Sequence, residues 1–580
     1  MKNKKINTIR HSLAHILAYA VQELYPGTKF GIGPAIENGF YYDFDFSVQI
    51  KAGDLKKIEK KMRELIRSGL NFDKKIIPKK EAAKLFKNQP YKLELIKEIP
   101  EKSVSVYQCG DFVDLCKGPH IKSSKEINVR AFKLTKIAGA YWKGDEKNKM
   151  LARIYGLAFE SEKELDKYLK QLAEAEKRDH RVLGRELGLF MTDERIGQGL
   201  VMLLPKGAFI YKKLEDYMYS KEFKHGYHYV RTPILALEDL YKKSGHLSHY
   251  KDDMYNPIDI DGEKYYLKPM NCPHHHIMFK HEIKSYQQLP YRLSDFGMIH
   301  RYERSGTLSG LIRTRGFCQN DAHIYCRRDQ VEEEFISVLK LFKEVYKDFQ
   351  IKDYWFELSL PDLKNKEKYG DIENKKMWRE SADIARRAMK KFGAKFVEIE
   401  GEAAFYGPKI DVQVKNVFGK TDTIATIQID FYMPERFDLN FINKKGEKER
   451  PVIIHRAIMG SFERFFAFLI EQTKGNFPLW ISPIQIEIAP ISKKYNPYAR
   501  KIKRRLEKEE IRVKLNDNDD TLGKKIRESE KQKIPYLLIV GEKEKKNETV
   551  SARKRGRKDL GELKLENFIG RIKKEIETKK

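Results

Sequence analysis

The sequence lacks several features that would each have indicated a class of protein. No apolar run approaches the roughly 20 residues of a membrane-spanning helix, and the opening MKNKKINTIRHSLAH has no apolar stretch typical of a secretory signal. Five cysteines spread over 580 residues argue against a disulfide framework and for reduced thiols or metal ligands. No P-loop is present. We therefore expect a cytoplasmic protein that has no membrane partner.

The length and the charge set two further bounds. A chain of 580 residues is too long for one hydrophobic core, so several domains are expected. The formal net charge of +30 favours a polyanionic partner, because neutralised phosphates release condensed counterions. A genome that is rich in lysine codons would give the same excess. On charge alone, nucleic-acid binding therefore remains open.

The pattern of apolar residues divides the chain into four regions and predicts an α+β multidomain protein. Residues 1–161 combine a helix containing HSLAH with strands in GIGPAIENGFYYDFDF. Residues 162–186 carry a charged helical pattern and are predicted to form one long linking helix. Strands dominate residues 187–478, whereas in residues 479–580 short β-rich runs alternate with helical segments, which predicts an α/β domain with a largely parallel sheet.

Three separated motifs supply residues that suit a metal beside a nucleotide. Cys272 lies in KPMNCP, His323 in QNDAHI and His455 in IIHRAIMGSFERF. Thiolate and imidazole are the usual zinc ligands, although this spacing is not that of a zinc finger. Each residue alone could equally be a buried core residue. Combined with the arginines and the glutamate of the neighbouring segments, they indicate an ATP-dependent enzyme that selects its second substrate with a metal.

Arginines between and after these motifs suit the phosphates of a nucleotide. In FGMIHRYERSG, Arg301 and Glu303 alternate, and we expect a strand with both side chains on one face. Arg313 and Arg315 follow on the returning segment, and Arg464 is predicted to begin a helix. An arginine can hold a phosphate through two hydrogen bonds. A surface ion pair is the alternative for any one of them.

These motifs together resemble the class II aminoacyl-tRNA synthetases. HRYERSG with RTRGF resembles motif 2 of that class, GSFERF resembles motif 3, and HYVRTPIL resembles motif 1, which builds the dimer interface. KPMNCP, QNDAHI, AAFYGPKI and IIHRAIMGS resemble the threonyl-tRNA synthetases among them, over essentially the whole chain. The resemblance implies a homodimer with an N-terminal α+β editing domain, an antiparallel-sheet catalytic domain and a C-terminal α/β anticodon-binding domain. Its partners would be ATP, L-threonine and tRNA(Thr).

The resemblance implies one zinc ion per subunit, bound by Cys272, His323 and His455. Three protein ligands leave a position open, and the family uses it for the amino and hydroxyl groups of threonine. Valine has no hydroxyl to offer. A site whose buried polar groups are left without partners discriminates against an analogue by a factor of roughly 10⁴. An apolar pocket discriminates by a factor of only about 10².

The resemblance also assigns the remaining catalytic residues. Arg301 would hold the α-phosphate and Arg464 the γ-phosphate of ATP, with Mg²⁺ bridging phosphates. Further ATP contacts would come from Glu303, Arg313, Phe317, which stacks on adenine, and Lys409; the amino acid would be oriented by Asp321, Tyr406 and Gln428. One segment, GKTDTIA, departs from the commoner pattern, because Thr423 stands where many relatives carry a glutamine.

A second group of residues lies in the first region. HSLAH puts His11 and His15 on one helix face, and DLCKGPH adds Cys116 and His120. By residue type this would be a zinc site. The resemblance implies instead an editing site that hydrolyses seryl-tRNA without a metal, although a related alanyl-type domain uses zinc, so the metal remains open. Serine differs from threonine by one methyl, which supplies only about 1–3 kcal/mol of discrimination, so a second sieve is needed.

Asp114 and Lys92 are expected to assist this editing site. The chain starts directly at HSLAH, without the small ubiquitin-like domain that precedes the editing domain in full-length bacterial relatives, which suggests a naturally short form or a trimmed chain.

In the last region, GEKE and VSARKRGRKDLG resemble the anticodon-binding domain, and Glu544 and Arg553 match positions that contact anticodon bases. Nonspecific RNA contact is the alternative for this basic stretch.

Two other functions remain as alternatives. One is a catalytically idle relative that binds RNA, against which the complete set of arginines and metal ligands argues. The other is a class II synthetase for proline or serine, against which Cys272, His323 and His455 argue.

Overall fold

A computed structural model describes residues 2–145, 147–362, 364, 368–369, 374–556 and 558–579. The chain divides into two compact units, Met1–Glu174 and Ala175–Lys580. Within this described part no helix is both long and apolar enough to cross a membrane.

The first unit packs a long helix against antiparallel strands, as its predicted α+β class requires. Leu13, Leu17 and Val21 recur at helical spacing on α1 and are buried with the aromatic residues of β3. One sheet has the order β1-β3-β8-β7 with β2 on β3, and the other has the order β4-β5-β6. The elements are α1 (Lys2–Leu24), β1 (Lys29–Phe30), β2 (Ala35–Ile36), β3 (Gly39–Asp45), α2 (Asp54–Arg67), β4 (Asp73–Pro78), α3 (Lys79–Leu85), α4 (Pro90–Glu98), β5 (Ser103–Cys109), β6 (Phe112–Leu115), β7 (Phe132–Tyr141) and β8 (Met150–Ala158).

The predicted single linking helix over residues 162–186 is two helices, α5 (Glu162–Arg178) and α6 (His180–Leu187). The break falls at Asp179, whose backbone is non-helical and whose carboxylate accepts a hydrogen bond from the Arg181 amide. An aspartate in this position caps a new helix start. The apolar spacing continues across the break, which is why the sequence pattern did not reveal it.

An eight-stranded sheet forms the centre of the second unit, in the order β11-β16-β17-β24-β21-β20-β18-β19. The inner pairs are antiparallel, as predicted for the catalytic domain, while the two outermost pairs are parallel. Helices α11, α12 and α14 contribute apolar residues to the core of this unit. The elements are β9 (Phe190–Met191), β10 (Met202–Leu203), α7 (Pro205–Lys224), β11 (His228–Tyr229), β12 (Leu235–Leu237), α8 (Glu238–Lys243), α9 (His246–His249), β13 (Ile258–Ile260), β14 (Glu263–Leu267), α10 (Cys272–His281), β15 (Lys284–Ser285), β16 (Tyr291–His300), β17 (Gly316–Cys326), α11 (Val331–Asp348), β18 (Tyr354–Leu360), α12 (Lys375–Phe392), β19 (Phe396–Glu400), β20 (Lys409–Lys415), β21 (Thr421–Asp430), α13 (Tyr432–Arg436), β22 (Phe441–Ile442), β23 (Lys448–Glu449), β24 (Val452–Ser461) and α14 (Phe462–Thr473).

The register of this sheet aligns four of the predicted site residues in one row. His323 on β17 lies opposite His455 on β24, which lies opposite Gln428 on β21, which in turn lies opposite Lys409 on β20. Directly opposed residues point to the same face of a sheet. Residues up to 132 positions apart in the chain are therefore adjacent because of strand pairing alone.

The expectation that Arg301 and Glu303 lie on a strand was wrong. Strand β16 ends at His300 and β17 begins at Gly316, so both residues belong to the loop that joins them. One more backbone bond, from the Arg301 amide to the Arg315 carbonyl (3.1 Å), continues the pairing. The Tyr302 amide then turns to the carbonyl of Asp253, which ends the ladder.

A smaller α/β domain closes the second unit. Strands β25, β26 and β27 are mutually parallel as predicted, but β28 and β29 pair antiparallel, so the sheet is mixed and not largely parallel. A short helix, α17, leads from β27 into β28, because antiparallel pairs need no long crossover. The elements are β25 (Ile486–Pro490), α15 (Asn496–Glu507), β26 (Val513–Leu515), α16 (Leu522–Lys531), β27 (Tyr536–Val540), α17 (Glu542–Asn547), β28 (Thr549–Lys554), β29 (Lys558–Lys564) and α18 (Leu565–Glu577).

Candidate functional site

The structure brings Cys272, His323 and His455 together. Cys272 is the first residue of α10, and the two histidines face each other across β17 and β24. One potential ligand atom from each lies within 4.8 Å of the others, and all three residues are buried. A thiol and two imidazoles at this separation form a donor set that suits zinc.

Neighbouring side chains fix which nitrogen of each of these two histidines faces the rest of the group. The Nε2 atom of His455 lies 2.8 Å from Oδ2 of Asp430, and Nδ1 of His323 lies 2.7 Å from Nδ1 of His275. A carboxylate can only accept, so His455 carries its proton on Nε2 and keeps the Nδ1 lone pair free. Such outer partners are typical of metal-binding histidines.

The protonation states also fit a metal. Burial lowers the pKa of His323 well below its ordinary value, so the ring is neutral, as a metal ligand must be. Burial raises the pKa of the Cys272 thiol, and a bound cation would reverse that shift, because coordination deprotonates a thiol. The residues present therefore fit a zinc ion.

A cavity of about 310 Å³ opens onto these three residues. The ring of Tyr406 stacks on His455 with centroids 4.8 Å apart, and its hydroxyl donates to Gln428. Asp321 is buried, and its carboxylate accepts a hydrogen bond from Asn271 (3.1 Å). The cavity thus combines an aromatic wall, a carboxylate and an amide around Cys272, His323 and His455, which suits a small zwitterion.

A second cavity, of about 360 Å³, is lined by Glu303, Arg313, Phe317 and Arg464. Burial lowers the pKa of Arg464, and the positive charges of Arg301 and Arg313 lower it further. This mutual repulsion would be relieved by a polyanion. The Arg313 guanidinium lies 3.4 Å from the carboxylate of Glu303, and Thr423, the departure noted in the sequence, also lines the cavity.

The two cavities share a wall. Arg301, Lys409 and Gln428 line both of them. The Arg301 guanidinium lies over the rings of Phe317 and Tyr250, at 5.3 and 5.5 Å, and Lys409 pairs with Asp411 at 2.9 Å. An anionic group of a ligand in the first cavity can therefore approach a phosphate bound in the second cavity. Arg301 and Lys409 would lie beside both groups.

His11, His15, Cys116 and His120 also come together, in the first unit, with one ligand atom of each within 4.8 Å of the others. Nε2 of His11 and of His120 lie 3.3 and 3.2 Å from the Cys116 sulfur. The hydroxyl of Ser12 donates to the Thr8 carbonyl and therefore accepts from Nδ1 of His120, at 3.1 Å. His120 consequently presents an unprotonated Nε2 to the cluster.

Charged groups behind the cluster hold it in place. Buried Asp114 accepts from Lys92 and from the Tyr42 hydroxyl (2.7 Å), and it lies 3.6 Å from Nε2 of His15. Burial lowers the pKa of the histidines at positions 11, 15 and 120 and raises the pKa of Cys116 to about 11. The cluster thus consists of neutral imidazoles and a thiol, which suits the orientation of water better than attack by a thiolate.

The two predicted anticodon residues lie on neighbouring elements of the last domain. Glu544 is on α17, where its carboxylate accepts from the Gly541 amide at 2.8 Å. Arg553 is on β28, paired with Leu537 of β27. Both side chains are partly exposed.

The residues that contact the two candidate sites from outside were not predicted from the sequence. His275 stands three residues after Cys272 in a run of histidines, which was a usable signal. Asp430, Ser12 and Tyr42 carried none, because each acts on a residue that is distant in the sequence or is one polar group among many.

Comparison with known proteins agrees with this geometry. Residues 255–473 match the tRNA synthetase class II core domain (G, H, P, S and T). Residues 485–575 match the anticodon binding domain, and residues 104–155 match the threonyl and alanyl tRNA synthetase second additional domain. Together with the antiparallel sheet and its paired cavities, these matches define a class II aminoacyl-tRNA synthetase that carries an editing domain.

Individual relatives narrow the class. The chain is 48% identical over 575 residues to the threonine–tRNA ligase of Geobacillus sp. (strain WCH70), covering 98% of this chain and 89% of that protein. It is 45% identical to the Halalkalibacterium halodurans threonine–tRNA ligase over 579 residues, with 99% and 89% covered. The structure of the RNA binding domain of threonyl-tRNA synthetase from Cryptosporidium parvum Iowa II superposes with a TM-score of 0.64 at 38% identity, covering 68% of this chain and 98% of that one. The chain therefore belongs to the threonine–tRNA ligase family.

Proposed function

We propose that this chain activates L-threonine with ATP, transfers it to the 3′ end of tRNA(Thr), and hydrolyses seryl-tRNA(Thr) formed in error. The shared wall of the two cavities is the observation that carries the proposal, because activation requires a carboxylate and an α-phosphate to meet. We assign editing to residues 1–161, linkage to 162–186, catalysis to 187–478 and anticodon binding to 479–580.

Threonine would occupy the cavity beside Cys272, His323 and His455. A zinc ion held by these residues would supply a Lewis acid that recognises an amine and a hydroxyl together. Asp321, which is buried and faces this cavity, would pair with the ammonium group, and the Tyr406–Gln428 hydrogen bond would fix the position of the side chain. Valine lacks the hydroxyl and would leave these polar groups unmatched.

ATP would bind in the second cavity as its magnesium complex. Arg301 lies at the junction and would hold the α-phosphate, while Arg464 and Arg313 would hold the more distal phosphates. A carboxylate oxygen of threonine would attack the α-phosphorus, the bond to the bridging oxygen would break, and pyrophosphate would leave. Positioning and charge neutralisation supply most of such catalysis. The terminal ribose hydroxyl of tRNA would then attack the carbonyl and release AMP.

Editing would take place at the cluster of His11, His15, Cys116 and His120. A neutral imidazole can accept a proton from water as that water adds to the ester carbonyl, releasing serine and free tRNA. Asp114 and Lys92 would hold the cluster through their buried ion pair. The same four ligand atoms could bind a metal, and metal analysis of the purified protein would decide between the two forms.

The assembly would be a cytoplasmic homodimer. At the motif 1 segment and just before it, Tyr219, Phe223 and Tyr229 are 47%, 70% and 36% exposed, and the ring of Tyr219 lies against those of the other two. Exposed aromatic groups that cluster in this way are typical of protein interfaces. Glu544 and Arg553 would contact the anticodon of the bound tRNA.

The test is amino-acid-dependent exchange of pyrophosphate into ATP. We expect strong exchange with threonine, weaker exchange with serine, none with valine or proline, and loss of exchange when a chelator removes the metal. Exchange with proline instead would assign a different synthetase. No exchange with any amino acid would favour the idle RNA-binding relative.

A further inference from the structure

A third buried group, Asp179, His180 and Glu471, lies away from both cavities. Nδ1 of His180, on α6, lies 2.8 Å from the carboxylate of Glu471 on α14. Nε2 of the same ring accepts a hydrogen bond from the backbone amide of Leu311 at 3.1 Å. The imidazole therefore bridges a helix and the loop between β16 and β17, which contains Arg301, Glu303 and Arg313.

These three residues form a hydrogen-bonded cluster that links helix to loop, and they do not form a metal site. A peptide amide can only donate, so Nε2 accepts and the ring proton must be on Nδ1, where it is donated to Glu471. Neither nitrogen keeps a free lone pair. The carboxylate of Asp179 is engaged as well, by the amide of Arg181 at 2.8 Å and by the guanidinium of that residue.

A glycine in the loop leaves the space that this imidazole occupies. Gly310 has φ +51°, and a Cβ atom there would lie 2.3 Å from Nε2 of His180. The next residue, Leu311, is 1% exposed and packs in the core. Arg464 donates through Nε to the carbonyl of Ile312 at 3.1 Å. His180 and Arg464 thus hold adjacent stretches of the loop, one from the core side and one from the cavity side.

We propose that His180 is a positioning residue for ATP: by binding the Leu311 amide it sets the position of the loop that carries Arg313 and orients Arg464. This inference rests on the proposed roles of Arg313 and Arg464 in binding phosphate. His180 does not line either cavity, so it would act only through the loop.

Two isosteric substitutions separate the two hydrogen bonds of the ring. In His180→Gln the side-chain oxygen can take the place of Nε2 and accept from Leu311, whereas in His180→Asn the amide nitrogen replaces Nδ1 and only the bond to Glu471 is kept. We expect His180→Asn to raise the KM for ATP in pyrophosphate exchange roughly tenfold, the effect of one lost hydrogen bond. We expect His180→Gln to raise it by less than about threefold, and the KM for threonine to change by less than about twofold in both.

A glycine pair provides a second test with a matched control. Gly310→Ala introduces a methyl group against His180, whereas Gly188→Ala, at φ +65°, meets nothing within 4 Å. Both changes add similar backbone strain. We expect only Gly310→Ala to raise the KM for ATP, and its effect should not add to that of His180→Asn, because both displace one loop.

Measuring Arg464→Gln in the same assay shows whether a negative result contradicts the role of His180 or the proposed ATP site. If Arg464→Gln raises the KM for ATP and His180→Asn does not, the proposed positioning role of His180 is wrong, and the proposed ATP site is supported. If Arg464→Gln leaves the KM unchanged, the proposed ATP site is wrong, and the role of His180 falls with it. Equal effects of His180→Asn on both substrates, or equal effects of His180→Asn and His180→Gln, would also overturn the inference.

Discussion

Replacing Asp430 by asparagine should weaken the proposed binding of zinc without altering any of the three proposed zinc ligands. One carboxylate oxygen of Asp430 accepts from the backbone amides of Tyr432 and Met433, at 2.8 and 2.9 Å. The other accepts from Nε2 of His455 at 2.8 Å. Asparagine has the same shape but only one acceptor oxygen, so it cannot serve both sides.

The energies decide which side asparagine serves. Turning its NH₂ group toward these two backbone amides, one buried and one partly buried, would leave two donors without acceptors, at up to about 1–3 kcal/mol each. The oxygen therefore stays on the backbone, and the NH₂ group faces His455. Nε2 must then accept, which moves the ring proton to Nδ1, the nitrogen that would bind the metal. Loss of such an outer partner lowers metal affinity by about 10- to 100-fold, or about 1.4–2.8 kcal/mol.

Competition with a chromogenic chelator measures zinc affinity directly, without relying on catalysis. The control is Asp438→Asn, which removes the same charge from a side chain that is 62% exposed. We expect Asp430→Asn to bind zinc at least tenfold more weakly than this control, and its threonine-dependent exchange to recover at higher free zinc. Equal zinc affinity in the two variants would refute the tautomer argument.

Two further predictions concern the first unit. Cys116→Ala should let seryl-tRNA accumulate, because the sulfur lies between His11 and His120. It should leave threonine activation unchanged, because the two cavities belong to the other unit. Mischarged product at the wild-type level would contradict this prediction. Because burial lowers the pKa of all three cluster histidines, they stay neutral below the ordinary value of about 6.5. The rate of seryl-tRNA hydrolysis should therefore remain near its plateau as the pH falls through 6.5, and half-loss at that pH would show that an ordinary histidine is the base.

The residues alone predicted much of this protein. The apolar pattern identified the opening helix α1 and the strands that follow it, and the motifs carried the class II resemblance together with the predicted residues that line the two cavities. These features are local, because apolar periodicity and ligand chemistry can be seen without knowing what lies opposite. The α+β class, the antiparallel core and the family followed from them and are confirmed.

Tertiary structure decided what depends on partners that are distant in the chain. Strand register set His323, His455, Gln428 and Lys409 in one row, and no spacing rule predicts which residues will oppose each other between strands so far apart. The helix break at Asp179 and the end of β16 before Arg301 were missed, because capping and loop contacts compete there with a continuing periodic pattern. The proton positions on His455 and His180 were also beyond the sequence, since a histidine tautomer is set by whichever donor or acceptor the fold places beside the ring.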